Sequence, residues 1–381
     1  MYNNEFNPEP LLYLVHLLMH ADDILLLATS KSLAIQKLRA LITYCQRNYI
    51  KLQLAKCAVL CVNSSEIDDH LPITVDGVVL ENKKEEVYLG SVITNSHRLI
   101  DDVEADIRKR QVNVIKFYAF LRSNSNAPVD VKTKVLQACT VTSILHNAET
   151  WANAKVERLE VAYRRMMKSI IGVKVTTCSE LMYIELDLPS IRTQIRMKQW
   201  SFWTKVLEMS KECPLHHAIT LAKHFKLKEI EHYEQLVTSF NSKDEIREKF
   251  MEENRKSIRA KAERGQSKYI KYLQVNPSLE TPKIYKSVNR HSDVSMVAGL
   301  RTSSHNLQIE MGRRTRTPRE DRKCLCGEVE DEDHFALSCD LYADIRKKHN
   351  VLTTTKISCM FDNDRHVVYL NELYKRRKEL K

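Results

Sequence analysis

Glycine is scarce, with seven in 381 residues, against a usual share of about seven per cent. Neither a Walker pattern nor a dinucleotide fingerprint is present, which excludes nucleotide-binding classes built on Gly-rich phosphate cradles. No apolar run approaches the roughly eighteen to twenty residues of a membrane span, so no membrane partner is expected. Leu11 to Met19 is short and interrupted by His16. It also lacks a basic flank and a small-residue cleavage site, which argues against a signal peptide. Ten cysteines without a secretory signal point to a reducing compartment. The expected location is therefore nuclear or cytoplasmic, not secreted. The closing Lys375-Arg376-Arg377-Lys378 fits either nuclear import or a simple solvated end.

What the chain does contain begins with His20-Ala21-Asp22-Asp23, set between the apolar runs LLYLVHLLM and ILLLATS. Paired acids at a turn between hydrophobic strands are how a polymerase palm presents carboxylates to metal ions. In two-metal catalysis one ion lowers the pKa of the attacking hydroxyl and the other steadies the leaving oxygen. Mg2+ keeps several waters and phosphate oxygens, so few carboxylates suffice if they are rigidly held. The plainer reading is an acidic turn closing a hydrophobic hairpin, because short motifs recur by accident. Only nineteen residues precede His20, which leaves little chain to supply another carboxylate from an upstream strand.

The segments that follow add context. Leu33, Leu38, Leu41 and Ile42 recur at helical spacing within 32–44. Tyr49-Ile50-Lys51-Leu52-Gln53 and Lys56-Cys57 come next, then Val75-Asp76-Gly77-Val78, a strong hairpin signal. Val87-Tyr88-Leu89-Gly90-Ser91-Val92-Ile93-Thr94 completes the series. In this order and spacing the chain resembles the reverse transcriptases of non-long-terminal-repeat (LINE-type) retrotransposons. The resemblance implies Mg2+ binding and catalysis at Asp22 and Asp23, and a proton-donating role for Lys56. It implies a primer grip at Tyr88, Leu89 and Gly90. His20 stands where the family has an aromatic residue, Tyr49 replaces a glycine, Gln53 an asparagine and Cys57 a threonine. A glycine held at an unusual backbone angle is not exchanged for tyrosine without strain.

The resemblance continues through a thumb-like helix at Val103 to Leu121, the segment Ala148-Glu149-Thr150-Trp151, and VERLEVAYRRMMKSIIGV from Val156 to Val173. That last segment gathers Leu159, Met166, Met167, Ile170 and Ile171 on its apolar side. Arg158, Arg164, Arg165 and Lys168 make it basic as well. Such a helix can track phosphates, although charged helix faces are commonly just solvated.

Near the C-terminus stands Cys324-x-Cys326, then His334, then Cys339, four ligands within sixteen residues. A Cys3His set can enclose one tetrahedral Zn2+ as a closed structural site, and close spacing limits the entropy of loop closure. The other reading is a chance gathering of reduced cysteines. The surrounding 317–327 and 332–339 resemble the zinc-knuckle tail of many of these retroelement polyproteins. So does the lead-in 300–307, and Arg301, Arg313, Arg314 and Arg316 would then form a basic approach that binds nucleic acid.

The formal net charge is +11, and it is unevenly placed: residues 1–100 carry −2 and the remainder +13. That distribution suits RNA or DNA as partner; solubility explains excess charge equally well. Arg192 to Met209 reads as a further helix, with Trp200 and Trp203 as core anchors.

The expected fold is α+β and mostly helical. A partial palm at 1–98 (a small antiparallel sheet with a helix) precedes a thumb-like helical region at 99–190 and a helical connector at 191–299. A basic lead-in and zinc knuckle follow at 300–350, then a basic tail at 351–381. The resemblance touches much of 20–200 and 300–346; 210–290 are only weakly family-like. It implies a truncated reverse-transcriptase-like protein, inactive alone because fingers and first catalytic aspartate are absent, that binds nucleic acid. Two alternatives stay open. One is the C-terminal piece of an active enzyme whose N-terminal polymerase region is supplied elsewhere. The other is a helical zinc-containing interaction protein without nucleic-acid function.

Overall fold

A computed structural model describes residues 17–53, 56–62, 64, 71–75, 77–96, 98–361 and 363–380. The upstream apolar run as far as His16, and Asp76 of the Asp-Gly pair, lie outside these residues. The described chain is mostly helical with three two-stranded antiparallel sheets, as the α+β reading expected. It divides into two units, each assembled from three stretches of chain.

The first unit holds 1–111, 144–155 and 195–245. Its first described elements are β1 (Leu17–His20) and β2 (Asp23–Leu26), paired in register from Leu17 opposite Leu26 to His20 opposite Asp23. A two-residue turn, Ala21-Asp22, therefore joins them, with Ala21 at φ +54. Helix α1 (Lys31–Arg47) packs against β2 and β3. Its first turn is capped by Ser30, whose Oγ accepts from the Leu33 amide at 3.2 Å, satisfying one orphan donor. Its far end is a Schellman motif. Ile50 N donates to Cys45 O at 2.8 Å and Tyr49 N to Gln46 O at 3.3 Å, with Tyr49 left-handed at φ +60.

The Asp-Gly hairpin forms as the sequence predicts: β3 (Ile73–Val75) pairs with β4 (Val78–Leu80), with Gly77 at φ +80. Ile73, Val75 and Leu80 are buried, the alternation of a half-buried sheet. Next, β5 (Glu85–Tyr88) pairs with β6 (Ser91–Thr94). Leu89 and Gly90 between them are both at positive φ, as a type I′ turn requires.

Helix α2 (Leu99–Ser123) opens with acids that tie it to β6. Asp102 accepts from the Thr94 amide at 2.7 Å and Asp106 from the Val92 amide at 2.8 Å. Trp203 and Tyr233 stack at 4.9 Å in this unit's helical core, and Trp200 Nε1 donates to Phe240 O at 3.0 Å. Trp203 is buried in the core, as expected, whereas Trp200 is half-buried. His216 and His217 lie in the helix Pro214–His224, which Pro214 opens at its first position.

The second unit holds 112–143, 156–194 and 246–381. Its helices include α3 (Val129–Val135), α4 (Glu157–Ile170), α5 (Ser179–Glu185) and α6 (Ser267–Val275). Downstream come α7 (His291–Arg301), α8 (Gln308–Thr315), α9 (Ala343–Lys348) and α10 (Arg365–Glu379). Helix α4 buries Leu159, Tyr163, Met166, Met167 and Ile170, the apolar stripe visible in the sequence.

A polar knot lies within this core. The Glu185 carboxylate takes a two-pronged grip from Arg301, with Nε at 3.0 Å and Nη2 at 2.9 Å. It also accepts from the Tyr272 hydroxyl at 2.7 Å and from the Tyr285 hydroxyl. Glu185 is 1% and Arg301 4% exposed. A fully satisfied buried pair fixes which segments meet; removing either member leaves an unpaired charge. No described helix is long and apolar enough to cross a membrane.

Candidate metal centre and associated sites

The C-terminal cysteines lie on a short two-limbed loop. An antiparallel bridge joins Lys323 to Val329, and Cys324 N donates to Glu328 O at 2.7 Å. Gly327, at φ +100 with open space where a Cβ would stand, allows the reversal between them. His334 and Cys339 bracket a turn of π-helix, His334–Ser338. Asp331 Oδ1 accepts from the His334 amide at 2.9 Å, and Cys339 N donates to His334 O at 2.9 Å. Bridge and turn aim four side chains at one point.

The four ligand atoms of Cys324, Cys326, His334 and Cys339 lie within 4.8 Å of one another. Cys339 Sγ is 3.7 Å from Cys324 Sγ and 3.8 Å from Cys326 Sγ, and Cys326 Sγ is 3.2 Å from His334 Nε2. Four-coordinate thiolate sites with metal–sulfur bonds of about 2.3 Å place their sulfurs about 3.8 Å apart. A disulfide would need about 2.05 Å, and all the cysteines are free. The group can therefore hold a metal ion. Among the described residues it is the one group of three or more Cys, His, Asp or Glu that converges in this way.

Electrostatics favour a cation. Burial pushes the Cys324 thiol up, and burial together with neighbouring thiols pushes Cys339 up to about 12. Thiolates gathered in such a place need a compensating positive charge, which a metal supplies.

The loop is also clamped from outside. Phe335 is fully buried against Tyr374 at 4.8 Å and Tyr342 at 5.6 Å. Arg346 donates to Cys339 O and the Tyr369 hydroxyl to Ala336 O. Arg377 grips the Glu330 carboxylate with Nε and with Nη2, the latter at 2.6 Å. One arginine of the closing basic run is thus committed inside the fold, and Arg376 pairs with Asp344 at 3.0 Å.

At the other end of the chain, Asp22 lies in the β1–β2 turn and Asp23 opens β2, both exposed. Among the described residues, neither belongs to a converging ligand group. Lys56 is exposed too. Tyr88 closes β5 and Leu89-Gly90 form its turn. Arg110 anchors that turn, donating to Gly90 O at 2.9 Å and to His146 O while its guanidinium lies 5.7 Å from the centre of the Trp151 ring. The Tyr-Leu-Gly turn and the segment ending at Trp151 are thereby brought together. Apart from its i,i+4 partner Asp106 at 3.1 Å, the groups Arg110 meets stand far from it in the chain, so spacing gave no sign of this role.

The basic candidates divide. Arg158 and Arg165 are exposed on α4, with Arg164 half-buried. Arg314 and Arg316 are exposed, and Arg313 is half-buried and paired with Glu310. Lys168 and Arg301 do not fit the phosphate-binding role expected of them. Lys168 is 6% exposed and donates to Val175 O at 2.7 Å, and Arg301 is locked to Glu185. In both cases the helix turns the cation inward, where a buried acceptor offsets the cost of lost solvent.

No protein-family model, no curated protein and no solved structure matches the chain.

Proposed function

We propose that the chain is a retroelement-derived, reverse-transcriptase-like protein. In this reading it binds RNA or DNA through a zinc-organised C-terminal module and does not polymerise by itself. The convergence of Cys324, Cys326, His334 and Cys339 carries the reading. Three sulfurs and one imidazole at tetrahedral spacing are a donor set suited to Zn2+ in a closed structural site. When bound, the ion would supply cross-linking of the loop to the π-turn and neutralise the thiolates. The chain's own part is orientation: Asp331 caps the turn that aims His334, and Arg346 holds the Cys339 carbonyl.

Descent from a reverse transcriptase is supported by the order of the sequence segments, two of which form hairpins. Asp22 lies in the two-residue turn Ala21-Asp22 with Asp23 opening the next strand, and Leu89-Gly90 form another turn. Among the described residues no third ligand joins the aspartates. Losing a ligand of a catalytic metal lowers rate by many powers of ten, so Mg2+ chemistry is not expected of this chain alone.

The test combines zinc content with nucleic-acid binding across a salt series. About one Zn2+ per chain and affinity falling steeply with salt support the reading. Primer extension with Mg2+ or Mn2+, abolished by Asp22→Ala, would overturn the claim of inactivity and favour a working polymerase segment. Zinc with no nucleic-acid binding would favour a helical interaction protein.

A further inference from the structure

Three separate segments of the second unit bring cations to residues 304–314. Lys174, in the loop after α4, donates from Nζ to Asn306 Oδ1 at 2.6 Å and to His305 O. Its amide donates to Ser304 Oγ at 2.9 Å, and Thr177 Oγ1 reaches the same hydroxyl at 2.8 Å. Lys268, in the first turn of α6, pairs with Glu310 at 3.2 Å. Arg313 pairs with Glu310 as well, and Arg314 beside it is exposed.

Lys268 and Arg313 thus pair with the one carboxylate of Glu310, and Lys174 lies within reach of the charges of Arg314, Glu310 and Lys268, so four cations gather near a single acid. Burial lowers the Lys174 pKa, and the charges of Arg314 and Lys268 lower it further. Clustered like charges destabilise a fold, so such a patch points to a function. Ordering is the second point. Exposed lysines and arginines lose rotamer freedom when a ligand fixes them. Here Lys174, Lys268 and Arg313 are already half-buried and held by carbonyl or carboxylate oxygens.

We propose that Lys174, Lys268, Arg313 and Arg314 form a track for the phosphodiester backbone of a nucleic acid, with Glu310 as the counter-charge that sets the positions of Lys268 and Arg313. The inference rests on the nucleic-acid reading above and deepens it. It adds two lysines from distant segments to the arginines flanking the metal loop.

The experiment measures anisotropy of a short fluorescein-labelled single-stranded RNA against the full-length zinc-loaded chain over a range of salt. The variants are Lys174→Gln/Lys268→Gln and, separately, Glu310→Gln. Each backbone contact on a single strand contributes about 0.7 to the logarithmic salt slope, or about four-fold in affinity near 0.15 M salt. The double lysine variant is expected to bind about fifteen-fold more weakly, with a slope smaller by about 1.4. Glu310→Gln should shift affinity the opposite way, which a merely unfolded variant would not do. If wild-type chain binds with a steep slope and the double variant is unchanged, the track is refuted and the nucleic-acid reading stands. If wild-type chain binds no RNA, or binds polyglutamate instead, both fall.

Discussion

Replacing Tyr49 by glycine is expected to stabilise the protein. Tyr49 is the residue just past α1, at φ +60 and 98% exposed. The left-handed region costs a non-glycine residue about 1–2 kcal/mol. Glycine removes that strain but loses more conformational freedom on folding, by roughly 0.5–1 kcal/mol. No packing is lost, since the ring is in solvent. The net gain is about 0.5–1 kcal/mol. Tyr49→Ala keeps the strained angle and should be nearly neutral, which separates backbone from side-chain effects. Urea unfolding followed by far-UV circular dichroism reads the change: the midpoint should rise by about 0.3 M at unchanged slope. Equal midpoints for the glycine and alanine variants, or a lower one for glycine, would refute the reasoning.

Other consequences are equally open to test. Arg301→Met should destabilise by about 3–5 kcal/mol by leaving the Glu185 carboxylate buried without its cation. Adding Glu185→Gln should restore part of that loss, a coupling read in a double-mutant cycle. Gly90→Ala should destabilise the β5–β6 hairpin, since its φ is +82 and a Cβ would stand 3.2 Å from His146 Cε1; amide exchange over 85–94 would report it. Chelation at neutral pH should raise proteolysis within 322–342 in wild-type chain and leave Cys339→Ser, already open, unchanged.

The Asp-Gly hairpin, helix α1, the inward stripe of α4 and the Cys3His set were all legible in the sequence. Each is written in spacings of a few residues. The fate of Lys168 and Arg301 was not. Their charge pattern matches a solvated face, and only the fold brings Glu185 to Arg301 across 116 residues of chain. Arg110 and Lys174 escaped notice for the same reason. Tyr49 shows a different limit: its place where family members carry glycine flagged backbone strain. Whether the helix end would keep the left-handed angle or rearrange depended on the hydrogen bonds of Gln46 and Cys45.

The most direct measurement is metal content of the purified full-length chain by mass spectrometry, taken with thermal stability for wild type and Cys339→Ser. About one Zn2+ per wild-type chain is expected, with metal and stability lost together in the variant. A metal-free wild type that folds as well as a zinc-supplemented sample would contradict the proposed centre.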